Sequence, residues 1–260
     1  MAHMLDDCAS PARRYALKAG VGLALIGACP CALMAGQRIL LGRQICSLWA
    51  MASGLELEVA SSTGNRTLDR QLALEANRLA RLFGFRPGLK IIEAPESHAA
   101  NALATTERVV EGIDGTVLMG RTLVFRELQE NRSGWGGLAV AGFMAHEFAH
   151  IYQFRTEWAA RLRERARTVE AQELHADYLA GYHLGLKRRE GAAMDIKAFM
   201  DGAYLVGDFH EHAPQHHGTP RERQRAVREG YRTGVQGEGP IARVAERGYQ
   251  EVVAIMRQFG

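Results

Sequence analysis

The sequence predicts an α+β protein, mainly helical, in which a small sheet lies beside one wholly apolar helix. Three observations predict it. Apolar residues recur at helical spacing in residues 67–83 and 241–259. Two short runs, Leu89 to Glu93 and Thr116 to Met119, each follow a glycine and have the length of strands. A chain of 260 residues that is 47% hydrophobic is long and apolar enough to bury a substantial single core.

Taken in order, residues 1–35 follow a secretory plan rather than a fold. Arg13-Arg14 precede an apolar run from Ala19 to Ala28, and the segment is similar to a twin-arginine export signal. Ile26-Gly-Ala-Cys29 resembles a lipoprotein processing box, which would make Cys29 an N-terminal lipid anchor; cleavage near Ala35 would release a soluble periplasmic protein. Either route removes Cys8, so the four cysteines form no disulfide framework and stability must come from the core. Residues 36–66 read as a linker or N-terminal extension, and residues 67–260 as the folded domain.

Within that domain the first helix runs from Thr67 to Phe83, with Leu68, Leu72, Leu79 and Leu82 on one stripe and Gly84 as its stop. The two strands follow, with residues 95–113 between them as a surface segment. Strand 116–119 at a sheet edge would leave its backbone open to an extended peptide. Gly134 to Gly137 break the chain before an apolar helix at 138–152. A charged helix begins near Glu157, and the next carries Glu173 and ends at Gly185. Another helix spans Ala192 to Val206. The loop 208–218 holds four of the ten histidines and reads as solvated. Thr219, Pro220 and Glu222 then give N-cap, first position and capping box to a further helix. A final helix covers Ile241 to Phe259.

The chemistry is concentrated at His146-Glu-Phe-Ala-His150. Residues four apart share one face of a helix, so both imidazoles can reach one ion, and Glu147 remains available as a base for a water on that ion. A buried helix carries such groups only if something satisfies them. Downstream, Glu173 and Asp177 are again four apart. Glu173 is placed to complete a two-histidine, one-carboxylate set that leaves a fourth position open, and Asp177 to accept a hydrogen bond from a ligand imidazole. His175 is the rival third ligand, but residues two apart on a helix point in different directions. His183 reads as a surface or packing histidine. Zn2+ is the metal this ligand set suits best.

HExxH followed by ExxxD resembles the gluzincin metallopeptidases, and more closely the branch with the bacterial heat-shock membrane protease and the CAAX prenyl protease. Asn101-Ala-Leu-Ala, Gly115-Thr-Val-Leu-Met-Gly-Arg-Thr-Leu and His217-Gly-Thr-Pro-Arg-Glu-Arg223 are similar to further segments of that branch, so the resemblance covers about residues 90–235. Gly218 stands where the branch has proline. The resemblance implies a zincin-type domain that hydrolyses peptide bonds, with His217 polarising the substrate carbonyl and Arg223 supporting the active-site helices. Unfolded or misfolded envelope proteins are the expected substrates of an exported enzyme of this kind.

A net charge of +3, with its densest basic run at 155–167 interleaved with glutamates, excludes a nucleic-acid binder. The alternative reading is a zinc-stabilised scaffold or chaperone whose site is blocked, with the histidines at 210–217 supplying a fourth ligand. Glu147 speaks against it, because a scaffold needs no base there.

Overall fold

The computed structural model describes residues 36–41, 45–46, 54–109, 113–130, 136–166, 168–192, 195–209, 213, 216–237 and 239–259. The expected export segment and Cys29 lie outside the described residues. The elements are β1 (Gln37–Leu41), β2 (Ile45–Cys46), β3 (Leu55–Ala60), α1 (Arg66–Phe83), β4 (Gly88–Ala94), α2 (Glu96–Ala99), β5 (Ala102–Thr105), β6 (Thr116–Gly120), α3 (Arg121–Glu130), α4 (Gly136–Arg155), α5 (Trp158–Arg165), α6 (Glu170–Arg189), α7 (Lys197–Val206), α8 (Pro220–Gln236) and α9 (Ile241–Phe259). The class is therefore α+β and mainly helical. No described helix is long and apolar enough to cross a membrane.

Six strands form one sheet in the order β1-β3-β4-β6-β5-β2, with β4 and β6 parallel and every other pair antiparallel. Side chains alternate across it with the period of two that pleating imposes. Ile91, Val117 and Met119 join the main core against the helices, while Ile92, Leu118 and Leu103 pack on the other face with Leu41, Leu57, Val59 and Ala99. The apolar helix α4 lies against β5 and β6 and is the layer between the sheet and α6.

Local chemistry sets the helix ends. The Asn65 side chain accepts hydrogen bonds from the backbone N–H groups of Thr67 and Leu68 at the start of α1, and Gly84, at φ 75°, ends it in the left-handed conformation that glycine adopts freely. The capping box expected at Thr219 and Glu222 is formed at the start of α8.

Several expectations are corrected. Of the segment 36–66, read as a linker or N-terminal extension, the described residues supply β1 and β3, which extend the sheet beyond β4 and bury Leu41, Leu57 and Val59. The segment 95–113 is not confined to the surface, since it contributes α2 and β5, and Leu103 and Ala104 are fully buried. Strand β6 is interior rather than at an edge: β4 and β5 occupy its two sides, so its backbone has no free row for a peptide. Helix α7 begins at Lys197, where the Asp195 carboxylate accepts from the Lys197 N–H.

Gly185 does not end α6, which continues to Arg189. Instead Gly181 and Gly185 face α8, where a Cβ would stand 2.1 Å from the Val227 carbonyl and 2.3 Å from that of Tyr231. Gly230 and Gly234 answer from α8, with Tyr178 and Tyr182 carbonyls at 1.9 and 2.2 Å from their would-be Cβ positions. Four glycines thus bring the two backbones into direct contact, closer than ordinary side chains permit.

Candidate metal centre

Helix α4 presents His146 and His150 on the face toward α6, and α6 presents Glu173 and Asp177 in return. His146 Nε2 lies 3.0 Å from His150 Nε2 and 3.2 Å from Glu173 Oε2, and His150 Nε2 lies 3.4 Å from Glu173 Oε1. All three residues are 8% exposed or less. The structure thus brings together the three ligands expected from the sequence.

Hydrogen bonds decide which nitrogens face inward. Asp177 Oδ1 lies 2.9 Å from His146 Nδ1, and a carboxylate accepts, so that nitrogen carries a proton. His150 Nδ1 lies 2.9 Å from Gln153 Oε1. Both imidazoles therefore turn Nε2 toward each other and toward Glu173. Tetrahedral zinc, with ligands at about 2.0–2.1 Å, requires neighbouring ligand atoms about 3.3 Å apart. The spacing and chemistry of this donor set fit such an ion.

Without an ion a proton does part of the same work. Burial opposes charge on His146, but hydrogen bonds to Asp177 and Glu173 outweigh it and raise its pKa to about 10. Burial likewise works against ionisation of Glu173, yet the nearby His150 and His146 hold its carboxyl well below the usual range. Asp177 is depressed too: burial is countered by the charge of Arg223 and the bond to His146.

Arg223, 4% exposed on α8, grips Asp177 through Nε and Nη2 at 2.7 and 2.9 Å, and its Nη2 lies 3.5 Å from Glu173. Burial would lower its pKa, but the charges of Asp177, Glu173 and Glu147 raise it. One guanidinium therefore positions the carboxylate that orients His146 and neighbours the carboxylate ligand. Glu147 is buried one residue beyond His146 and within electrostatic reach of Arg223.

His216 and His217 are buried, not solvated as expected for their loop. Neither ring nitrogen of His217 has a hydrogen-bond partner; Nδ1 stands 3.7 Å from Asp208 Oδ2, too far for a bond. Burial lowers the His217 pKa, with Glu173 and Arg223 among the charges it feels. It is a neutral imidazole with unsatisfied nitrogens beside the centre. Gly218 follows at φ 88°, in the left-handed region that glycine adopts freely and that is closed to proline. His216 joins Glu170 and Glu222 in a second group whose ligand atoms lie within 4.8 Å of one another, while its Nδ1 bonds Asp208 Oδ1 at 2.7 Å.

His175 is not a ligand: it faces away from the centre, stacked on Trp158 with ring centroids 5.1 Å apart and bonded to the Ala245 carbonyl. His183 is not a surface residue. It is buried against Glu75 on α1, which also accepts from Lys187 at 2.6 Å. Burial raises the Glu75 pKa, but the bonds from His183 and Lys187 prevail and hold it at about 2. Sequence reasoning passed over Gln153, although its place three residues after His150 puts both on one helix face.

Comparison with protein-family models, with curated proteins and with solved structures finds no match.

Proposed function

We propose that this chain is a zinc-dependent endopeptidase of gluzincin type, exported to the periplasm or lipid-anchored to an envelope membrane, acting on unfolded or misfolded envelope proteins. The observation that carries the proposal is the convergence of His146 Nε2, His150 Nε2 and Glu173 at 3.0–3.4 Å, with Glu147 buried next to His146 in the chain. Three protein ligands leave a tetrahedral ion one position for water or substrate, the arrangement of catalytic rather than structural sites.

Bound zinc would acidify a water toward neutrality and polarise the scissile carbonyl. In the zinc-loaded protein Glu147 would take a proton from the attacking water as its oxygen bonds the scissile carbonyl carbon, and would deliver that proton to the leaving nitrogen as the C–N bond breaks. His217 donates a hydrogen bond to the carbonyl oxygen as it gains charge, which gives one of its unpartnered nitrogens a partner. Arg223 keeps Asp177 ionised, and Asp177 keeps the proton on His146 Nδ1.

The second reading, a zinc-stabilised scaffold with a blocked site, draws on the burial of the ligands and on a buried His217 within electrostatic reach of Glu173. One experiment separates the two. Zinc-loaded protein and its Glu147→Gln variant, with equal metal content, are incubated with an unfolded protein. Cleavage by the parent alone supports the peptidase; zinc in both and cleavage by neither supports the scaffold. Equal cleavage by both would overturn the role of Glu147.

A further inference from the structure

We infer that Gln153 is a positioning residue for the metal centre: it transmits the direction of the Ala245 carbonyl, on α9, to His150 and fixes the tautomer with Nε2 bare. The inference rests on the metal reading above and adds to it residues 153, 175 and 245.

Two backbone carbonyls in the relay have a hydrogen-bonding sense that cannot change. The Ala245 carbonyl only accepts, and His175 Nε2 lies 3.0 Å from it, so that nitrogen carries the proton. In a neutral imidazole Nδ1 is then an acceptor. The Gln172 carbonyl also only accepts, and one end of the Gln153 amide lies 2.9 Å from it and 3.1 Å from His175 Nδ1. That end must be the NH2 group on both counts, which fixes the amide orientation from two independent neighbours. Oε1 is left facing His150 Nδ1 at 2.9 Å. An amide oxygen can only accept, so His150 Nδ1 donates and Nε2 turns its lone pair to the centre.

Every side chain in the relay is buried: His150 is 2% exposed, and Gln153 and His175 are fully enclosed. No water is needed to complete it. An amide also suits the charge. Glu173 and Asp177 already bring two carboxylates to the centre, and a glutamate at 153 would turn an oxygen toward the Gln172 carbonyl and the bare His175 nitrogen, both of them acceptors. The last helix of the chain therefore sets the state of a ligand on α4 without touching the metal.

The test uses the full chain labelled with 15N-histidine. Imidazole nitrogen shifts of the zinc-loaded parent are expected to show His175 protonated at Nε2 and His150 protonated at Nδ1 with the metal on Nε2. Gln153→Leu, checked for retained fold by circular dichroism, is expected to weaken zinc about 10–100-fold in competition with a chelator. It should also mix the two His150 tautomers in the metal-free protein, which a purely structural role would not do. Failure of the parent to bind zinc at the His146 and His150 nitrogens would overturn the metal reading and this inference together. A parent that binds zinc there but shows His175 protonated at Nδ1, or a Gln153→Leu variant of unchanged affinity, would overturn this inference alone.

Discussion

At the scale of single residues, the centre is a set of charges that only one another can satisfy. Arg223 is the clearest case: it is a permanent cation that, with His146, faces both Asp177 and Glu173 inside the core. Arg223→Leu leaves two buried carboxylates short of a counter-charge and is expected to destabilise the metal-free protein by about 3–5 kcal/mol, read by chemical unfolding. Zinc should restore part of the loss by supplying positive charge. His217 makes the opposite prediction, because it has no partner to lose. His217→Ala should keep its zinc and its stability and lower kcat by about 100-fold with little change in KM, as for removal of one oxyanion donor. Retained kcat would remove His217 from the mechanism. His146 and His150, and Glu173 and Asp177, were legible in the sequence because each pair is spaced by one turn of one helix, and Glu147 because it adjoins the first histidine. Gln153 is spaced in the same way, but an amide announces no chemistry until its partners on α6 and α9 are known.

At the scale of elements, the contact between α6 and α8 aligns the centre. Arg223 reaches Asp177 because Gly181, Gly185, Gly230 and Gly234 let the two backbones touch. Gly230→Ala would place a methyl 1.9 Å from the Tyr178 carbonyl, and no side-chain rotation relieves a clash with backbone. Helix separation should cost about 1–3 kcal/mol, the usual penalty of overpacking. It should also weaken zinc binding, since Asp177 would lose its grip on Arg223. A variant that unfolds at a lower temperature but binds zinc as before would show that the seam serves stability alone. The sequence offered these glycines only as breakers, which is why Gly185 was read as a helix end. A glycine that admits a neighbouring backbone and one that ends a helix look alike until the neighbour is placed.

At the scale of the whole molecule, α1 is tied to α6 by a buried polar cluster remote in sequence. Glu75, with its pKa held at about 2 against an ordinary 4.5, gains its charge interactions only in the folded state. Such a group adds stability that is complete above pH 4.5 and is lost as pH falls from 4.5 to 2; the difference corresponds to about 3 kcal/mol. His183, its pKa lowered first by burial, acts in the same direction, resisting protonation as pH falls below 6.5. Acid unfolding of the parent and of Glu75→Gln should therefore differ in slope between pH 4.5 and 2, the variant being flatter. Parallel curves would assign the acid sensitivity to other groups.

The sequence by itself determined the helices with strong periodicity and caps, the α+β class, and the spacings that mark His146, His150 and Glu173 as one candidate metal site, because all of these depend on spacing within single elements. Only the tertiary structure decided what depends on partners distant along the chain. It placed β6 inside the sheet, recruited residues 37–41, 45–46 and 55–60 as strands, buried His183 and His217, and set Gln153 between two histidines. Periodicity reports which face of an element is apolar, whereas a hydrogen bond or an edge exists only once a second element occupies or vacates the place beside it.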